Sequence, residues 1–89
     1  MLEVILAQIE TLNLEGVNCR ELTSATRLVE ELGIDSLRFI DLTVLLEDAL
    51  EIDEFPMQAW VDAQIESGRH LSLGALAEAC VEVLRANGR

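Results

Sequence analysis

With 89 residues, 51% of them hydrophobic, the chain has the size of one small domain and enough apolar side chains for a single core. Its 17 Asp and Glu face six cationic residues, all Arg, for a formal charge of −11. That balance excludes binding to nucleic-acid phosphates or to an anionic membrane surface as the main activity, and points charge-based recognition toward partners rich in Arg and Lys.

Apolar residues recur at helical spacing almost everywhere, and no clean two-residue alternation appears, so the expected fold is all-α. In the first helix Leu2, Ile5, Leu6, Ile9 and Leu12 form one stripe, with Glu3, Gln8 and Glu10 outside it. Gly16 opens a long connection to about Asp35, which Leu22, Leu28 and Leu32 can pin to the core. A turn over Leu28–Gly33, with Gly33 as its left-handed terminator, would shorten it. The second helix is expected from Ser36 to about Leu50. After Glu51-Ile52-Asp53-Glu54-Phe55, Pro56 suits the first position of a third helix with a stripe of Met57, Trp60, Val61 and Ile65, ended by Gly68. In the fourth helix Ser72 is the expected N-cap, Leu71 staples onto Leu76, and Asn87-Gly88 closes the far end. Its buried stripe is Leu73, Leu76, Ala77, Cys80 and Leu84, which makes Cys80 a core residue rather than a reactive thiol.

Leu32-Gly33-Ile34-Asp35-Ser36-Leu37 carries the most chemical information. Ser36 stands at a helix entrance, where outward N–H groups and the helix dipole favour negative charge, so a phosphodiester on its hydroxyl would find an anion site. A plain capping serine is the competing reading, but Phe39 occupies the place where a capping box has Glu or Gln, and Arg38 sets positive charge in the first turn. Around the second helix, Phe39, Leu42, Leu46 and Leu50, flanked by Thr43 and Ala49, gather on one side and suffice to face the core. Leu37, Ile40 and Val44 lie opposite, interleaved with Asp41, Glu47 and Asp48. This second stripe, fenced by carboxylates, suits transient docking of a basic partner.

The run Leu-Gly-Ile-Asp-Ser-Leu, the helix ending Leu46-Glu47-Asp48, and Ile52-Asp53-Glu54-Phe55-Pro56 together resemble an acyl carrier protein, strongly over residues 28–56 and by general pattern in the flanking helices. The resemblance implies a small four-helix bundle of acyl-carrier type, one carrier domain over residues 1–89, with a long connection between its first two helices. It implies a covalent 4′-phosphopantetheine arm, donated by coenzyme A, on Ser36 between Asp35 and Leu37, with acyl cargo held as a thioester. Leu37, Ile40, Asp41, Val44, Glu47 and Asp48 then form the docking face. The implied partners are a phosphopantetheinyl transferase, an acyl- or aminoacyl-loading ligase, and downstream enzymes of fatty acid or polyketide type with basic surfaces. The chain departs from the family's pattern at Arg38, where many acyl carriers have an acid, and in a longer stretch between Phe55-Pro56 and the last helix. Glu54-Phe55 followed by Trp60 is similar to the third-helix region of D-alanyl carrier proteins, which keeps open an aminoacyl carrier loaded by an adenylating ligase. An unmodified acidic helical adaptor is the reading from a different class. The bulk of Phe39, Phe55 and Trp60 predicts a filled interior and a short or polar cargo left outside the bundle.

The remaining constellations are weak. His70 with Ser36 lacks a nucleophile elbow or oxyanion motif, so the chain is expected to be no enzyme. Asp48, Glu51, Asp53 and Glu54 lack the ligand spacing of an EF-hand loop, so no metal site is expected. Cys19 and Cys80 form no CxxC, and with one His they cannot close a structural zinc site. The first residues lack the basic region of a signal peptide, and no apolar run approaches the ~18 residues of a membrane span. A monomeric, standalone cytoplasmic protein with reduced thiols is expected.

Overall fold

In the computed structural model, which describes all residues except Asn13, Glu15, Gly88 and Arg89, four α-helices form where the apolar periodicity puts them. They are α1 (Leu2–Leu12), α2 (Ser36–Leu50), α3 (Met57–Glu66) and α4 (Leu73–Asn87). Among the described residues there is no strand, only an isolated antiparallel bridge between Arg27 and Ser72. The all-α four-helix bundle with a long first connection is therefore the observed fold. No helix among the described residues is long and apolar enough to cross a membrane.

The first helix buries Ile5, Ile9 and Leu12 and packs against both α2 and α4. Leu42 and Leu46 of α2 and Leu73, Leu76 and Cys80 of α4 complete the centre, each fully buried. Three of the residues assigned to the inner side of α2 sit further out than expected: Phe39 and Leu50 only lean on the core, and Ala49 is exposed. Burial pushes the Cys80 thiol up to about 11, so it stays protonated and packs as a small hydrophobe. The side chain of Cys19 and residue Gly88, to which the terminating signal of α4 was assigned, lie outside the described residues.

The connection between α1 and α2 is ordered by its own hydrogen bonds. A 3-10 turn spans Cys19–Glu21, with the Asn18 side chain accepting from the Arg20 N–H. Buried Thr26 accepts from the Thr23 N–H through its hydroxyl at 2.9 Å. Leu28, Leu32 and Ile34 then insert into the core, and Gly33, at φ 66°, lets the chain reverse so that the Ile34 N–H reaches the Leu28 carbonyl at 3.0 Å. Ile34 is thus the anchor immediately ahead of the Asp35-Ser36 pair.

The same connection caps α4. The first N–H groups of a helix have no partner within it. Here the Leu73 N–H donates to the Thr26 carbonyl at 2.9 Å, Gly74 to the Ser24 carbonyl at 2.8 Å, and Ala75 to the Ser72 hydroxyl at 3.1 Å. The approach is so close that a Cβ on Gly74 would stand 2.9 Å from the Ser24 oxygen. Alanine is the better helix former by about 1 kcal/mol, whereas overpacking costs about 1–3 kcal/mol. Urea unfolding of Gly74→Ala should show a net loss; a net gain would mean that the loop is not seated on α4 in solution.

The third helix is the most lightly held. Pro56 is its N-cap rather than its first residue, and Met57 is its one buried residue. Trp60 and Val61 are half-buried, and Ile65 is exposed. Gly68, at φ 72°, follows its last turn as anticipated.

Candidate functional site

The α2 entrance is built by Asp35. Its backbone is extended, its carboxylate accepts from the Arg38 N–H at 2.9 Å, and its carbonyl accepts from the Phe39 N–H at 2.9 Å. Asp35 is therefore the N-cap, and the capping role considered for Ser36 falls to its neighbour. Ser36 becomes the first helical residue, exposed, with its hydroxyl held by no described residue. The hydroxyl stands at the positive end of the α2 dipole, in a setting that favours an attached anion. Arg38 opposes that dipole and pairs with Asp41 at 3.8 Å, a half-exposed contact of small energetic weight.

Beside Ser36 opens a cleft of about 710 Å³ between α2 and α3, within the ~300–1,000 Å³ range of small-molecule sites. Asp35 and Ser36 stand at its margin, and Ile34, Phe39, Phe55, Met57, Val61 and Leu71 supply much of its apolar lining. This corrects the packing expectation for the aromatic residues. Phe39 and Phe55 line the cleft instead of filling it, and Trp60 turns away toward α4. The reason lies in α3: at about 100° per residue, Met57, Val61 and Ile65 share one face, and Pro56, Ala59 and Trp60 lie on the other.

The outer stripe of α2 lies where the periodicity places it. Leu37, Ile40 and Val44 are 65%, 62% and 58% exposed. Ile40 and Val44 also line the cleft, so the docking stripe and the cleft rim are one surface. The three acids of that stripe differ. Asp48 is exposed, and among the described residues Asp41 is engaged only by Arg38. Glu47 has a structural duty that sequence spacing did not show: its carboxylate accepts from the Phe55 N–H at 2.8 Å, tying the end of α2 to the start of α3. Glu51, left-handed at φ 55°, closes α2 by donating its N–H to the Asp48 and Glu47 carbonyls. Glu47→Lys should thus cost about 1–3 kcal/mol by leaving the part-buried Phe55 N–H without its acceptor, and Asp41→Lys should stay within about 0.5 kcal/mol. Equal midpoints in chemical denaturation would show that the Glu47–Phe55 bond does not hold in solution.

His70 is turned to other work than Ser36. Its Nε2 meets an Arg27 guanidinium nitrogen at 3.2 Å, and Arg27 also pairs with Glu30 at 3.6 Å. No cluster of metal-ligating side chains occurs among the described residues.

A family model described as "Phosphopantetheine attachment site" matches residues 7–60, which include the connection, Ser36, all of α2 and the start of α3. Searches of curated proteins and of solved structures find no match.

Proposed function

Because the chain belongs to the phosphopantetheine-attachment family of acyl carrier proteins and related carriers, whose cofactor is covalent 4′-phosphopantetheine, we propose that Ser36 bears that arm and that residues 1–89 form one carrier domain. The observation that carries the reading is the exposed Ser36 hydroxyl, bonded by no described residue, at the start of α2 on the margin of an apolar cleft. The residues present fit the group. An attached phosphodiester would meet the N-terminal end of α2, and the cleft offers apolar cover beside it. When bound, the arm supplies a terminal thiol on which cargo is carried as a thioester.

The chain's own residues then have three tasks. Asp35 fixes the helix entrance, so that Ser36 is presented outward to a transferase that brings the catalytic groups. Leu37, Ile40 and Val44 form the apolar part of the docking face, and Asp41 and Asp48, with the unbonded part of the Glu47 carboxylate, form its acidic part. The cleft shelters an apolar acyl tail, which favours an acyl over an aminoacyl cargo. Its volume and lining support this in place of the short or polar cargo expected from the aromatic residues.

Docking can be tested apart from attachment. Asp41→Lys should slow modification by a broad-specificity phosphopantetheinyl transferase, and the wild-type rate should fall as salt rises. Rates that respond neither to the substitution nor to salt would remove Asp41 from the docking face.

A further inference from the structure

A second apolar recess, of about 330 Å³, lies between α3 and α4, lined by Ala59, Trp60, Ala79 and Val83 among others. Of the described residues that border the cleft or this recess, Phe55 alone borders both. It is 3% exposed, and the Glu47 carboxylate fixes its backbone N–H at 2.8 Å. Phe55 therefore stands between the two spaces, with its backbone pinned to the end of α2, at the place where the two faces of α3 diverge.

Resting on the reading that the cleft shelters an acyl tail, we infer that Phe55 sets the length of cargo the protein accepts, by closing the cleft off from the recess beside Trp60. A tail that reaches the ring stops there, and each further methylene is turned back into water. Shortening the ring opens the recess to the tail. Filling the recess from its α3 side closes it again. Ala59 suits that purpose because it is exposed and lines the recess, so a larger side chain there has room to enter.

Three proteins decide the matter: wild type, Phe55→Leu, and Phe55→Leu combined with Ala59→Phe. Leucine keeps an apolar side chain at the buried position, where alanine would endanger the fold. Each protein is loaded through its arm with saturated acyl chains of increasing length, as hydrolysis-resistant amide analogues, and its thermal midpoint is compared with that of its own unloaded form. Burying methylenes raises the midpoint, and methylenes left in water do not. In wild type the midpoint should climb with chain length and then level off. In Phe55→Leu the levelling should move to longer chains, and Ala59→Phe should bring it back. A Phe55→Leu series that levels at the wild-type length overturns the gate, as does a double variant that keeps the longer limit. A wild-type series flat from the shortest chain overturns the sheltered-tail reading itself.

Discussion

Leu46→Ala should lower the unfolding free energy by about 2–5 kcal/mol, the cost of deleting a fully buried leucine and leaving its cavity. Leu46 lies on the inner side of α2, which packs against α1, and the surrounding helices have little freedom to collapse into the space. A domain of this size holds on the order of 5–15 kcal/mol in all, so the loss is a large share of the total. Each kcal/mol moves the thermal midpoint by ~4–8 °C in domains of this length. Ile40, six residues earlier, is 62% exposed, and Ile40→Ala should remain within about 0.5 kcal/mol. The contrast is the test. Comparable losses at the two positions, in paired denaturant titrations, would mean that the two faces of α2 are assigned the wrong way round.

That division of α2 was legible in the sequence because it depends on one number, the angle per residue, applied to strongly apolar side chains. Leu42 and Leu46 inward, with Leu37, Ile40 and Val44 outward, follow from it directly. The starts of α2 and α3 were legible for a different reason: Asp35-Ser36 and Pro56 are residues with few permitted places in a helix. The capping role was harder to assign, because Asp and Ser are both good caps and stand side by side. Geometry awards it to Asp35, whose carboxylate reaches the Arg38 N–H.

What stayed hidden depends on contacts across the fold. Nothing in the spacing of Glu47 distinguishes it from Asp48, yet one carboxylate ties down Phe55 and the other is exposed. The cleft was missed for a related reason. Side-chain bulk does not say on which side of a helix the bulk will lie, and Trp60 sits on the face of α3 turned away from Ser36. The turn at Gly33 was legible, but the seating of residues 24–28 on α4 was not, because it rests on backbone bonds with Leu71, Leu73 and Gly74, 43 to 50 residues further along the chain. Those bonds could be found only once α4 was in place.

Ser36→Ala should abolish modification while leaving the fold intact. The cap belongs to Asp35 and no described residue bonds the Ser36 hydroxyl, so the stability change should lie within about 0.5 kcal/mol rather than at the cost of a lost cap. Any loss of modification then reports on chemistry and not on unfolding.

The sequence makes the decisive measurement simple. Trypsin cleaves after Arg27 and Arg38, and the peptide between them, residues 28–38, has Ser36 as its one hydroxyl side chain. After incubation with coenzyme A and a broad-specificity phosphopantetheinyl transferase, wild type should gain the mass of a single phosphopantetheinyl group, all of it on that peptide, and Ser36→Ala should gain none. A group found on another peptide, a Ser36→Ala protein that is still modified, or a wild-type protein left unmodified under conditions that modify a known carrier would contradict the assignment of Ser36 as the attachment residue.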